Sequence, residues 1–268
     1  MRLYYGGLVV HQSHTDDGVI EVVDLGGSRS MHFGTHPRQS CMSIETPHTL
    51  ELTYTEAMMA ALLFNRQPQK ILVIGLGGGS LVKFLLHHFP ACQIDVVEYR
   101  EDVVKVAHGY FDVPEDDDRL TIHLGDGYQF VQDRFYSDDS VYDLLLVDAY
   151  DHIGMSTSVG IPAFFDACAG ILSNDGVMSI NLWGSDRPGF KRTMEYINQS
   201  FEGKTMVLPV ENKGNIIGLA MKQLVTQAAL KKFKNSVDIQ ESQLGINLPK
   251  SLRELTRRNR PFIGRLFL

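Results

Sequence analysis

The sequence predicts an α/β fold with a seven-stranded, doubly wound sheet and a small N-terminal β-subdomain. Apolar strand segments alternate with helical segments between residues 71 and 200. Segments 71–74 and 144–147 are apolar throughout, as expected when helices cover both faces of a parallel sheet. Two later strand segments, 204–210 and 216–221, are separated by a short polar turn, which indicates an antiparallel hairpin at one edge.

The N-terminal region shows the period-two pattern of strands. A Gly-Gly pair separates segments 19–25 and 28–33, as in many β-hairpins. From Thr53 to Asn65 the apolar residues follow a helical period, and the alternation of strands and helices begins after it. The last parallel strand is expected at 176–182, and a helix is expected near 226–235. We therefore expect an N-terminal β-strand subdomain at residues 1–52 and a Rossmann-like domain at residues 53–268.

Composition argues against several classes of protein. The chain has 268 residues and a formal net charge of -7, whereas a nucleic-acid surface needs a basic patch. No apolar run approaches the roughly 20 residues that span a bilayer, and the N-terminus lacks the apolar core of a signal peptide. Three widely spaced cysteines without a CxxC pair indicate reduced thiols. We expect a cytoplasmic protein without nucleic-acid or membrane partners.

A glycine-rich turn follows the first strand of the predicted sheet. The turn contains Gly75, Gly77, Gly78 and Gly79, and Glu98 closes the next strand. Glycines let a ligand approach bare backbone, and a carboxylate at the next strand end accepts hydrogen bonds from ribose hydroxyls. A dinucleotide-binding turn would need a further glycine that is missing here. The pattern therefore favours a nucleoside ligand of another kind.

Two more strands of the sheet end in acidic residues. Asp126 lies between Gly125 and Gly127, and Asp148 and Asp151 follow the next strand. Ligands bind at the carboxyl ends of strands in open α/β sheets, so these groups are expected to share one site with Glu98. A carboxylate in a dry site can take the proton of an alkylammonium group, which titrates near about 10.4. The alternative role for Asp126 is capping of the next helix. The alternative roles for Asp148 and Asp151 are turn formation and loop capping, respectively.

Together these motifs resemble the polyamine aminopropyltransferase family, spermidine synthase and its relatives, whose fold is that of S-adenosylmethionine-dependent methyltransferases. The resemblance runs from about Val19 to Met221. Residues 54–56, Tyr-Thr-Glu, correspond to a Tyr-His-Glu motif, and residues 148–151 correspond to an Asp-x-x-Asp loop. Glu98 and the Gly-Asp-Gly segment at 125–127 correspond to the strand ends that hold ribose and adenine.

The resemblance implies transfer of an aminopropyl group from decarboxylated S-adenosylmethionine to a diamine such as putrescine, without a metal. The catalytic residues that it implies are Asp148, Asp151 and Tyr54. The residues expected to contact the polyamine are Tyr54, Glu56, Tyr150 and Asp151. The residues expected to bind the nucleoside of the donor are Gly75, Gly77, Gly78, Gly79, Glu98, Asp126 and Gly127. Family members often pair through their N-terminal strands, so a homodimer is expected.

Three departures from the family pattern keep two alternatives open. Gly78 stands where the family usually has an aspartate that holds the ammonium end of the donor. Thr55 replaces the motif histidine, and His152 replaces a proline. The first departure favours a methyltransferase that uses ordinary S-adenosylmethionine. The other two favour a non-catalytic nucleoside-binding homologue.

Overall fold

The computed structural model confirms the predicted α/β architecture, and the residues that it describes form two β-sheets. It describes residues 3–137, 141–149, 157–211, 214–226, 229–230, 233 and 237–259. The first sheet is antiparallel, and its strands are adjacent in chain order. They are β1 (Leu3–Tyr4), β2 (Gly7–Thr15), β3 (Gly18–Leu25), β4 (Ser28–His32) and β5 (Ser40–Ser43).

The second sheet has seven strands in the order β11-β12-β10-β9-β6-β7-β8. The strands are β6 (Lys70–Ile74), β7 (Gln93–Glu98), β8 (Leu120–Leu124), β9 (Tyr142–Val147), β10 (Leu172–Trp183), β11 (Thr205–Pro209) and β12 (Asn215–Met221). Five neighbouring strands are parallel, and β12 runs antiparallel to both of its neighbours. The chain reverses its direction across the sheet between β6 and β9, which is where open α/β sheets form their binding crevice.

Helices cover both faces of this sheet and bury it between two apolar clusters. They are α1 (Thr53–Met58), α2 (Ser80–His88), α3 (Glu101–Tyr110), α4 (Gly127–Ser137), α5 (Pro162–Ile171), α6 (Arg187–Ser200), α7 (Val237–Leu244) and α8 (Leu248–Arg258). The first cluster also contains Ile20, Val22 and Met31, so side chains of the N-terminal sheet share the core of the larger one. No helix in the described ranges is both long and apolar enough to cross a membrane.

Three segments differ from the sequence-based expectation. The helix expected from residue 53 to 65 is an α-helix as far as Met58 and continues as a 3₁₀ helix over Met59–Leu63. Strand β10 begins at Leu172 rather than 176, and the polar, turn-forming residues before Val177 form an irregularity in its register. A helix expected at 226–235 falls largely outside the described residues.

Lys83 of α2 supplies a test of the packing between the two sheets. It is 6% exposed, and its ammonium group donates to the carbonyl of Phe111 and contacts the sulfur of Met42. Burial lowers the pKa of Lys83 to about 8, although Asp112 acts in the opposite direction. The unfolded chain therefore keeps this proton to a higher pH than the native protein does, so the native state gains stability as the pH rises above 8.

We expect this gain to disappear in a Lys83→Met variant. Between pH 7 and pH 9.5, the free energy of unfolding of the wild type should rise by roughly 2 kcal/mol relative to the variant. Urea unfolding of both proteins at the two pH values measures the difference. If the free energy of unfolding had the same pH dependence in both proteins, the lowered pKa of Lys83 would be contradicted.

Candidate active site

A cavity of about 1040 Å³ lies at the carboxyl ends of the seven-stranded sheet. The strand order determines how its lining is arranged. Glu98 and Asp126, at the ends of β7 and β8, line what we call the β7–β8 half. Asp148, Asn181 and Asn215, from β9, β10 and β12, line what we call the β9–β12 half. The glycine turn after β6 lies between the two halves.

The glycine turn presents backbone to the cavity. Gly75 has a φ of +93°, and a side-chain carbon at this position would collide with the carbonyl oxygen of Asp148. The cavity is lined by Gly75, Leu76 and Gly77, whereas Gly78 and Gly79 are not part of its lining. Two of the four predicted glycines therefore face the place where a ligand would lie.

Gly78 is enclosed by its neighbours. A side-chain carbon at this position would lie 2.7 Å from Ser40 Oγ and 2.8 Å from Phe111 Cδ1. The hydroxyl of Ser40 is in turn 3.2 Å from that of Ser80 at the start of α2. A side chain at position 78 would thus have to displace the segment that covers the turn.

Glu98 holds the turn in place and faces the cavity. One carboxylate oxygen accepts a hydrogen bond from the backbone N–H of Leu76, and the other accepts one from the backbone N–H of Arg100, each at 2.9 Å. Burial raises the pKa of Glu98, and the backbone hydrogen bonds partly offset this effect. Glu98 also lines the cavity, where a carboxylate can accept hydrogen bonds from the hydroxyls of a ligand.

Asp126 and Gly127 occupy the end of β8. Asp126 Oδ1 accepts from the backbone N–H of Gln129 at 3.0 Å, so this carboxylate caps α4 as well as lining the cavity. Its other oxygen makes no hydrogen bond to a residue within the described ranges. Gly127 packs against β6, since a side-chain carbon there would approach Ile74 Cγ2 to 2.6 Å.

Asp148 lies at the centre of a hydrogen-bonded chain in the β9–β12 half. Tyr54 Oη donates to Oδ2 at 3.0 Å, and Asn181 Nδ2 donates to Oδ1 at 2.9 Å. Asn215 Nδ2 donates to Asn181 Oδ1 at 2.9 Å, which fixes the orientation of the Asn181 amide. Burial raises the pKa of Asp148, against the effect of its two hydrogen bonds. These hydrogen bonds therefore position the buried carboxylate of Asp148, which has an increased affinity for a proton.

The remaining predicted residues do not all join this site. Glu56 is absent from the cavity lining, and its carboxylate accepts from the backbone N–H of Asn247 at 2.7 Å, just before α8. Thr55 lines the cavity, but its hydroxyl donates to the carbonyl of Leu52 at 2.7 Å. Tyr150, Asp151 and His152 lie outside the described residues.

Sequence reasoning missed the two asparagines that support Asp148. Asn181 is 3% exposed and is flanked by Ile180 and Leu182, which are buried in the apolar core. A polar residue inside an apolar strand needs a hydrogen-bonding partner, and this signal could have identified it. Asn215 carries no such signal, because it enters the site through the pairing of β12 with β10.

Arg100 and Arg38 also line the cavity, in different environments. Arg100 forms a two-point contact with Asp102, at 3.0 and 2.7 Å, and lies over the ring of Phe33. Arg38 Nη1 lies 3.7 Å from Cys41 Sγ. Arg38 forms no ion pair with a carboxylate of the described residues. The charge of the second arginine is therefore not neutralised by those residues.

Comparisons with known proteins agree with this architecture. The family model of the spermine/spermidine synthase domain matches residues 51–200. A polyamine aminopropyltransferase of Chromobacterium violaceum is 30% identical over 249 residues, which cover 93% of this chain and 94% of that protein.

Two solved structures share the fold. Spermidine synthase in complex with the transition-state analogue AdoDATO superposes with a TM-score of 0.73 at 20% identity, covering 96% of this chain and 88% of that chain. Human methyltransferase-like protein 13 in complex with SAH superposes with a TM-score of 0.63 at 26% identity, covering 75% of this chain and 93% of that chain. The resemblance inferred from the motifs is confirmed, and the chain belongs to the spermine/spermidine synthase family.

Proposed function

We propose that this protein is a polyamine aminopropyltransferase, which transfers an aminopropyl group from decarboxylated S-adenosylmethionine to a diamine such as putrescine. The observation that most supports this function is the buried carboxylate of Asp148, held by Tyr54 and Asn181 in the cavity that Glu98 also lines. The family uses decarboxylated S-adenosylmethionine as its aminopropyl donor.

The β7–β8 half has the groups that a nucleoside requires. In the proposed complex, Glu98 accepts hydrogen bonds from the ribose hydroxyls and Asp126 accepts one from the exocyclic amine of the adenine. The bare backbone from Gly75 to Gly77 leaves room for the sulfonium group beside the turn. This arrangement directs the alkyl groups on sulfur toward the β9–β12 half.

The proposed reaction is a direct displacement at the carbon next to the sulfonium. The ammonium form of the acceptor first transfers a proton to the carboxylate of Asp148. The nitrogen lone pair then forms a bond to carbon, while the electrons of the broken C–S bond remain on sulfur and methylthioadenosine leaves. An alkylamine titrates near about 10.4, so the raised pKa of Asp148 brings base and acid closer together. Tyr54 and Asn181 keep the carboxylate in the orientation that this transfer needs.

The predicted partner of Asp148 in the family motif, Asp151, remains part of this proposal on the resemblance alone, as does Tyr150. We assign no substrate contact to Glu56, because its carboxylate is hydrogen-bonded outside the cavity lining. Gly78 and Gly79 shape the turn and lie outside the lining. The proposal therefore rests on Tyr54, Asp148, Glu98 and Asp126 among the predicted side chains.

A second candidate is methyl transfer from ordinary S-adenosylmethionine, and two observations favour it. The space beside Gly78 is filled by Ser40 and Phe111, so this position offers no carboxylate to an ammonium group of the donor. Arg38, two residues before Ser40, instead places a cation on the cavity. A cation suits the carboxylate that S-adenosylmethionine retains and that its decarboxylated form has lost.

The product identifies the reaction. The protein is incubated with putrescine and either donor, and the nucleoside released is identified by liquid chromatography and mass spectrometry. We expect methylthioadenosine from the decarboxylated donor and no nucleoside product from the other. Release of S-adenosylhomocysteine would instead support methyl transfer. Neither product, together with measurable binding of methylthioadenosine, would support the non-catalytic homologue and contradict the proposed function.

A further inference from the structure

We propose that Arg38 forms a subsite for the carboxylate of an amino-acid group on a ligand of the cavity. Such a group is carried by S-adenosylmethionine and S-adenosylhomocysteine, or by an acceptor that is itself an amino acid. The proposal goes beyond the proposed function, because decarboxylated S-adenosylmethionine and putrescine both lack a carboxylate. It concerns binding alone, and it holds whichever alkyl group leaves the sulfur.

The segment that carries Arg38 packs against the glycine turn. Arg38, Gln39 and Ser40 all line the cavity. A side-chain carbon at Gly77 would lie 3.8 Å from Ser40 Cβ and 3.9 Å from the carbonyl oxygen of Gln39. Gly77 belongs to the turn beside which the sulfonium group is proposed to lie. The guanidinium therefore extends from a segment that is adjacent to the alkyl groups of a sulfur bound there.

The guanidinium of Arg38 has donors available for a ligand. Among the described residues of the lining, the side chains with a permanent positive charge are those of Arg38 and Arg100. The charge of Arg100 is paired at two points with Asp102. Arg38 contacts the sulfur of Cys41, and within the described ranges its side chain makes no other hydrogen bond. A guanidinium has five N–H donors, and their planar arrangement matches the two oxygens of a carboxylate.

The contact with Cys41 holds the positive charge close to the protein. Cys41 belongs to β5 and is 2% exposed. Burial raises the pKa of Cys41, and the charge of Arg38 acts in the opposite direction. Burial lowers the pKa of His32 in β4, and the charge of Arg38 adds to this effect. Both effects indicate that the guanidinium lies beside the two strands that flank its segment.

A cation at this place changes which ligands the cavity accepts. The carboxyl groups of the described lining are those of Glu98, Asp126 and Asp148. Negative charges on these groups repel a ligand carboxylate, and a nearby guanidinium attracts it. Because Arg38 is exposed, water screens this attraction, and we expect the effect to be smaller than that of a buried pair.

Two pairs of probes test the subsite and distinguish the two sources of the carboxylate. The donor pair is S-adenosylhomocysteine and S-adenosyl-3-thiopropylamine, which is the same compound without its carboxylate. The acceptor pair is ornithine and putrescine, which differ by a carboxylate and are added to protein saturated with methylthioadenosine. Isothermal titration calorimetry gives each dissociation constant.

We expect S-adenosylhomocysteine to bind about 5- to 30-fold more tightly than its decarboxylated form. Ornithine should gain no such advantage over putrescine, because Arg38 lies on the segment that covers the turn. Arg38→Gln should remove the advantage of the carboxylated nucleoside. Arg38→Lys should keep part of it, since lysine retains the charge and loses the planar fork. Added salt should narrow the gap in the wild type.

Arg253→Gln is the matched control for this loss of charge. Arg253 lies on α8, is exposed, and is outside the cavity lining. It forms no ion pair with a carboxylate of the described residues. Its variant should leave all four dissociation constants unchanged.

The outcomes separate clearly. Tighter binding of ornithine than of putrescine, lost in Arg38→Gln, would also support the subsite and would make the acceptor the source of the carboxylate. Equal binding within both pairs in the wild type, or a gap that survives in Arg38→Gln, would overturn it. The calorimetry needs no turnover, so failure of the subsite is distinguishable from failure of the proposed function, which the released nucleoside reports.

Discussion

Replacing Asp148 with asparagine is expected to reduce kcat by about 10²- to 10⁴-fold, the range for loss of a positioned general base. The variant keeps the shape of the site, since its amide can accept from Asn181 and donate to Tyr54. The affinity for methylthioadenosine should stay within about twofold, because Asp148 lies in the β9–β12 half. Steady-state kinetics and titration calorimetry measure the two effects separately.

The same variant should be more stable than the wild type at neutral pH. Because burial raises the pKa of Asp148, the native state favours the protonated form more than the unfolded chain does. The stability of the wild type relative to Asp148→Asn should therefore rise as the pH falls from neutral toward the ordinary range of a carboxyl group. Near-normal turnover would remove Asp148 from the reaction, whereas a large loss of stability would show that its charge is needed for folding.

Replacing Glu98 with alanine is expected to weaken binding of methylthioadenosine by about 10²- to 10⁴-fold. The change removes the proposed hydrogen bonds to the ribose, each of the charged type that contributes roughly 1.5–3 kcal/mol. It also leaves the N–H groups of Leu76 and Arg100 without their carboxylate. Titration calorimetry gives the dissociation constant, and thermal unfolding reports the accompanying loss of stability.

Glu101→Ala is the matched control for this loss of charge. Glu101 begins α3, is exposed, pairs with Lys105 and does not line the cavity. Its variant should bind methylthioadenosine as the wild type does. An unchanged dissociation constant in Glu98→Ala would reject the proposed contact between Glu98 and the ribose. An equal loss of affinity in both variants would indicate a general electrostatic effect.

The sequence predicts those parts of the fold that depend on local periodicity and on strand ends. Strands such as β6 and β9 are apolar runs, and parallel strands place their carboxyl ends at one edge of the sheet. For this reason the acidic residues Glu98, Asp126 and Asp148 could be expected in one cavity before any coordinates were available. The Tyr54–Asp148 hydrogen bond joins residues 94 positions apart, and the motifs of the family suggested both partners.

The parts that could not be predicted depend on packing between distant segments. Whether the carboxylate of Glu56 faces the cavity or the segment before α8 is decided by where the C-terminal helices dock. Periodicity does not reveal that Ser40 and Phe111 close the space beside Gly78, because those residues come from different elements. Asn215 joins the site through the register of β12, which the sequence of the turn before it does not fix.

A crystal structure with methylthioadenosine bound tests the central claim most directly. We expect both ribose hydroxyls within hydrogen-bonding distance of the Glu98 carboxylate, with the sulfur beside the glycine turn and directed toward Asp148. The space between sulfur and Asp148 should be open to an acceptor amine. A nucleoside bound away from Glu98, or one with its sulfur directed away from Asp148, would contradict the proposed division of the cavity into donor and acceptor halves.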